Sequence, residues 1–400
     1  MKSARQWAER QRQLDVERAD RKPTLLPSRR ERLSASSLGF LRGSARLYYE
    51  ILAEHPDLAA GPDGSGWLCG DLHVENFGAF RISSLDEEQT GSQVTFDIND
   101  FDDAAEGPWH IDLLRLCTSA LLGLSDRGHH GRDALAIVRG LLLAYRDSLD
   151  GGALPPTPPT LGKLLDKVAS RTRQQLLEGR TTVEHGARKF QRGPRYTDLP
   201  NELDAGARAA FALYVAALPA AERAHPDAFT VEDLAWRIAG TGSLGCLRIA
   251  VLSRGKGHGN NWIFDLKEQG EPSFAALGPT PSSSLVPAVR VSAALHACLA
   301  CPPRMVTATT MPLDGGTLSM LGRRLAPQED KLAFAQLDLH AAPVLLAYYG
   351  ALTAAMHLRG SKSRPTRWTD TDLDDILHRA IELAGLHHSI FLAYCSADQH

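Results

Sequence analysis

The chain lacks most of what marks an exported, membrane-bound or nucleic-acid-binding protein. Its first residues, "MKSARQWAERQRQLDVERADRK", are charged throughout and have no apolar core of the kind a signal peptide needs. The longest apolar stretches, around residues 113–124 and 285–301, contain Arg and are too short to span a bilayer. A net charge of -3 over 400 residues leaves no broad basic field for nucleic acid. Six cysteines show no framework spacing. "ACLAC" supplies a CxxC pair, but no second pair exists to complete a tetrahedral zinc site. Together these absences predict a cytoplasmic protein with reduced thiols and no membrane or nucleic-acid partner. The sequence carries no signal for oligomeric state.

What is present suits a sizeable core. Hydrophobic residues make up 43% of the chain, and 400 residues suggest two or three compact units or one large bilobal domain. Five segments can be drawn. Residues 1–65 read as helical, with a charged, poorly packed lead over 1–35 and helical spacing of Phe40, Leu47, Tyr48, Ile51 and Leu52. Residues 66–150 open with acid-rich loops and strands and close with buried helices. "GGALPPTPPT" (151–160) breaks the pattern and begins a linker segment, 151–230, that is helical in composition over 161–225. Short strands with glycine turns fill 231–330, and 331–400 is helical again.

Acid is concentrated in two places. "GDLHVENFG" (70–78) and "FDINDFDDA" (96–104) place six carboxylates between Asp71 and Asp103, set among strand residues. "FGAFRI" and "QVTFDI" alternate as paired strands, with a polar tip at 83–93 between them. Asp and Asn beside Gly often only shape turns. At this density, however, half-buried carboxylates repel unless a cation joins them, and hard oxygen donors beside an Asn amide suit magnesium. Asp71 and Asn76 are also five residues apart, as are the Asp and Asn of a kinase catalytic loop.

A third segment, 237–269, contains Gly240, Gly242 and Gly245 as G-x-G-x-x-G, with Ser243 inside the loop. A dinucleotide-binding reading expects a helix next, and Asp265 does fall 20 residues beyond Gly245. "CLRIAVL" and "NWIFDLK" instead read as strand, turn, strand, the arrangement in which a glycine hairpin covers phosphates. Lys267 then ends the second strand as a candidate phosphate anchor.

"GDLHVEN" resembles the "GDLHPGN" of aminoglycoside phosphotransferases and related small-molecule kinases. That resemblance implies Asp71 as catalytic base and Asn76 and Asp100 (of "NDFDDA") as metal ligands. It also implies Asp112 (of "GPWHIDLLRL") as a structural anchor beneath the loop. Asp97 and Asp102 are rival ligands, and His73 is either a ligand or a hydrogen-bonded structural histidine. With "FLRGSA", "GTGSLG" and "LKEQ" added, residues 36 to 360 resemble the DUF2252 family, a branch of the protein-kinase-like superfamily. The helical run after Lys267 contains no acid to pair with it as the kinase glutamate does, which leaves Glu268 or Glu271 as substitutes.

The resemblance implies an α+β, helix-rich, bilobal kinase-like fold that binds ATP and Mg2+ and phosphorylates an unknown substrate. Asp71 precedes Gly240 by about 170 residues, the reverse of the usual order, so the lobes are expected in circularly permuted order. The old junction would lie between about Gly360 and Gly66, with helix 344–358 beside the Asp71 loop. A nucleotide-binding regulator and a metal-dependent phosphohydrolase are the other readings.

Overall fold

The computed structural model describes residues 2–82, 94–129, 131–240, 242, 244–256, 259–313 and 315–396. The expected hairpin tip at 83–93 lies outside them, as does Ser243. The described chain is α+β with helix predominating.

Its largest sheet has six antiparallel strands. They are ordered Thr307–Leu313, Gly316–Arg324, Trp262–Glu268, Arg248–Ser253, Val231–Arg237 and Tyr196–Thr197. The two-residue period of a strand sorts its side chains. Trp262, Phe264 and Leu266 point to one face, where Ala207, Phe211 and Tyr214 of helix Asn201–Ala217 cover them. Ile263, Asp265 and Lys267 therefore point to the other. Register places Arg323 opposite Asp265 on one neighbouring strand, and Arg248 opposite Lys267 on the other. Two polar residues next to apolar ones thus share a single face.

The helical part is built on the pair Gly131–Leu149 and Ala342–Arg359. Gly350 sits where a Cβ would strike the Leu141 carbonyl, so the two backbones approach closely. Leu339–Arg359 is long and apolar enough by composition to cross a membrane, a stretch absent from the apolar runs picked out above, and most of it is buried in the core. Two small sheets complete this part. Ser65–Leu68 pairs with Ala105–Pro108 and Ser361–Ser363, and Phe77–Arg81 pairs with Val94–Ile98 and Glu329–Lys331. The last strand follows directly from the large sheet and carries Lys331 to the acid-rich loops.

Two expectations need correction. The lead over 1–35 is packed, not loose: helices Ala4–Arg18 and Leu26–Ser34 bury Trp7, Gln11, Asp15 and Arg29. Residues 161–225 are also not all helical, since Thr181–Glu184 and Ala187–Phe190 form a hairpin and Tyr196–Thr197 joins the large sheet.

Candidate functional site

Gly70 opens the site. Its φ of +83° and the Asp103 carbonyl that a Cβ would strike exclude other residues there. The loop is then tied from below by one carboxylate. Cys69 N–H donates to Asp112 Oδ2 at 2.6 Å, and Gly70 N–H donates to Asp112 Oδ1 at 2.9 Å. Asp112 is fully buried in the first turn of helix His110–Asp126, with His357 Nε2 at 3.4 Å from its Oδ2. The Tyr145 hydroxyl lies 2.8 Å from His357 Nδ1. Burial holds His357 below its usual pKa despite Asp112, so the ring is neutral near pH 7. This chain fixes helix Ala342–Arg359 beside the loop that carries Asp71.

Asp71 meets a second residue of the same helix. Arg115, one turn beyond Asp112, donates through Nε at 2.8 Å and through Nη2, both to Asp71 Oδ1. Arg115 is wholly buried, lies over the Tyr48 ring at 4.6 Å and also donates to the Leu41 carbonyl at 2.9 Å. Among the described residues, none donates a hydrogen bond to Asp71 Oδ2. Burial pushes the Asp71 carboxyl up to about 7; Arg115 opposes this, and Asp103 and Asp100 add to it. Asp71 is therefore a carboxylate able to exchange a proton at neutral pH.

The rest of the loop is held by its own backbone. Asn76 N–H donates to the His73 carbonyl at 2.9 Å, and Asn99 N–H donates to the Asn76 carbonyl at 2.9 Å, which joins the two acidic segments. Asn76 Nδ2 donates to the Asp71 carbonyl, leaving its amide oxygen available as an acceptor. His73 Nδ1 accepts the Glu75 N–H at 3.1 Å, and burial keeps the ring well below its usual pKa, so it is neutral.

The other carboxylates divide by role. Asp97 is buried and engaged by Arg359 Nη2 at 2.9 Å and Ile98 N–H at 2.9 Å, away from the cleft. Asp100 faces Lys331 Nζ at 3.5 Å. Burial works against its charge, but Lys331 and Lys267 outweigh it and hold the carboxyl at about 2. Asp102 pairs with Lys267 Nζ and accepts from Gln269 Nε2 at 2.9 Å. Burial lowers Lys267 to about 8, with Asp100 opposing.

Neither glutamate expected beside Lys267 is its partner. Glu268, the next residue of the strand, points away from Lys267, pairs with Arg21 at 2.9 Å and accepts Leu247 N–H at 3.0 Å. Glu271 only lines the cleft. Asp102 takes that place.

The glycine loop carries φ values of +82° at Gly240 and +108° at Gly245. Arginines of the N-terminal helices hold its carbonyls: Arg32 on Gly240, and Arg18 at 3.2 Å and Arg29 at 3.1 Å on Gly242. Each of these bonds is accepted by a loop carbonyl.

All these elements border a cleft of ≈ 620 Å³. Of the residues singled out in the sequence, Asp71, His73, Asn76, Asp100, Asp102, Gly240, Gly242, Gly245, Lys267 and Glu268 line it. Asp97 and Asp112 lie outside it. Arg115, Lys331 and the N-terminal arginines were not singled out; Arg115 had one signal, a charge one turn from Asp112 in an otherwise apolar helix. Among the described residues, no three of His, Cys, Asp and Glu converge to hold a metal.

A family model described as "Uncharacterized protein conserved in bacteria (DUF2252)" matches residues 21–384. Neither the curated proteins nor the solved structures contain a match to this chain.

Proposed function

We propose that this chain, which belongs to the DUF2252 family, is a magnesium- and ATP-dependent phosphotransferase whose two kinase-like lobes are joined in circularly permuted order. One observation carries the reading: Asp71, Asn76 and Asp100 meet Lys267 and Gly240–Gly245 in one cleft, although about 170 residues separate Asp71 from Gly240. Strand, glycine loop, strand, lysine-bearing strand and helix follow one another from Val231 to Cys298, the order of parts in a protein kinase. The permutation has a physical counterpart. Trp67 N–H donates to the Gly360 carbonyl at 2.9 Å, so the two ends of the inferred old junction are neighbours.

The donor set fits magnesium. Asp100 is an ionised carboxylate already balanced by a cation, and Asn76 turns an amide oxygen away from its own hydrogen bond. Asn76 and Asp100 would hold a magnesium ion, which would supply positive charge to offset that of the nucleotide's phosphates. The remaining work falls to the chain. Lys267 binds α- and β-phosphate oxygens and is still mostly cationic at neutral pH. Asp71 takes the proton of the acceptor hydroxyl through Oδ2, with Arg115 fixing its orientation. The glycine loop offers N–H groups that approach phosphate without a Cβ in the way.

A thermal-shift panel of nucleotides with and without magnesium tests this reading. Stabilisation by ATP only in the presence of magnesium is the expected result. A chain indifferent to both would refute it. A nucleotide-binding regulator is the second reading, favoured by the Lys267–Asp102 pair standing where a helix glutamate is expected. Phosphate release or transfer from ATP by the purified chain separates the two.

A further inference from the structure

A second cavity of ≈ 850 Å³ adjoins the first and shares Asp100, Lys267 and Lys331 with it. Its charge is unbalanced. Among the described residues, nine Lys and Arg line it against five carboxylates. Four of those carboxylates are committed: Asp330 to Arg171 and Lys167, Glu329 to Arg323, Asp102 to Lys267 and Asp100 to Lys331.

Asp265, the fifth, is buried at 1% exposure and is shared by three guanidinium groups. Arg248 Nε donates to it at 2.8 Å, Arg237 Nη1 lies 2.8 Å from its Oδ2, and Arg323 Nε lies 3.7 Å from the same oxygen. Among the described residues, the buried Arg237 Nε has no hydrogen-bond partner. Three cations face Asp265, one of them, Arg323, also paired with Glu329, which still leaves an excess of positive charge in a half-enclosed space. Holding such charge out of water is costly unless an anion joins it. Forked guanidinium groups match the oxygens of phosphate better than those of any neutral ligand.

We propose that this cavity is a phosphoanion site, in which Arg237, Arg248 and Arg323 together grip a phosphate group while Asp265 keeps them aligned. The phosphate belongs either to the tail of a nucleotide or to a separate phosphorylated molecule. The site adjoins the cleft of the phosphotransferase reading and shares Asp100 and Lys267 with it, but it needs neither Asn76 nor magnesium, so the two can be tested separately.

The test is calorimetric titration of the full chain with sodium tripolyphosphate in the presence of EDTA. Saturable binding is expected, weakened about tenfold or more by Arg237→Gln and by Arg323→Gln. Each variant leaves Asp265 two arginine partners, so the fold is retained, and using both guards against one that fails to fold. Asn76→Ala should leave the titration unchanged. Adenosine should not compete. Competition by ATP would assign the phosphate to a nucleotide, and its failure would assign it to a separate ligand. No saturable binding, binding indifferent to both arginine variants, or displacement by adenosine would overturn the proposal, leaving the arginines a purely structural cluster.

Discussion

At the scale of the residue, the proposed phosphoryl transfer rests on one carboxylate whose pKa is set by opposing forces. Burial lifts Asp71 to about 7 while Arg115 holds it down. As a base it must be ionised, so phosphoryl transfer should rise with pH through about 7. Lys267 sits at about 8 and must be protonated, so activity should fall again above that value. We predict that Arg115→Gln, which removes the lowering cation, shifts the acidic limb of the pH–rate profile to higher pH. An unmoved limb would mean that Asp71 is not the titrating base. We also predict that Asp71→Asn lowers transfer by about 10²- to 10⁴-fold with nucleotide binding nearly intact. Asp100→Asn should instead weaken magnesium-dependent binding, read as a smaller thermal shift with ATP. Asp71, Asn76 and Asp100 were legible because a five-residue spacing and neighbouring glycines are local features. Asp102 as the partner of Lys267 was not, because 165 residues separate the pair and only the folded chain joins them.

At the scale of the element, the N-terminal helices illustrate where sequence patterning stops. Their charges suggested a solvated lead, yet several of these charges are buried against one another. Arg29 Nε donates to Asp15 Oδ1 at 2.8 Å, the Tyr394 hydroxyl donates to Asp15 Oδ2 at 2.6 Å, and Arg29 also reaches the glycine loop. Amphipathic periodicity does not reveal such a network, since every member reads as polar surface. The strands of the large sheet were far more legible, because β-branched runs between glycine turns have few other uses. The network makes a prediction that joins stability to the site. Arg29→Ala leaves Asp15 buried without its cation and should cost about 3–5 kcal/mol in chemical denaturation. It should also loosen the glycine loop and weaken nucleotide binding beyond what the lost stability alone explains. Full nucleotide affinity in a folded Arg29 variant would show that the latch does not position the loop.

At the scale of the whole molecule, the proposed phosphotransferase reading turns on connectivity. Sequence order places Asp71 ahead of Gly240, which is why a permuted order was expected, but whether the separated motifs share a cleft depends on long-range packing that no local pattern encodes. The first and last described helices meet: Arg12 donates to the Tyr394 carbonyl, and helices Ala4–Arg18 and Asp370–Ser396 pack together. The segment 151–157 is exposed along its whole length, in a Pro- and Gly-rich stretch. Backbone of this kind tolerates cutting, because little burial or hydrogen bonding is lost. The helical rise from Ala4 to Arg12 is about 12 Å, and a Gly/Ser linker of about eight residues spans roughly 25 Å when extended. We therefore predict that a chain opened within 151–157 and closed between its present ends folds to the same structure. Its order would run from the glycine loop through Lys267 and helix Ala342–Arg359, then on to Asp71 and Asp100, the order of an ordinary kinase. The expected result is an unchanged circular dichroism spectrum, a melting temperature within a few degrees of the parent, and the same nucleotide-dependent thermal shift. A rearranged chain that is soluble and folded but no longer responds to ATP and magnesium, where the parent does, would mean that the two halves of the cleft depend on the present connectivity, and the permuted-kinase reading would fall with it.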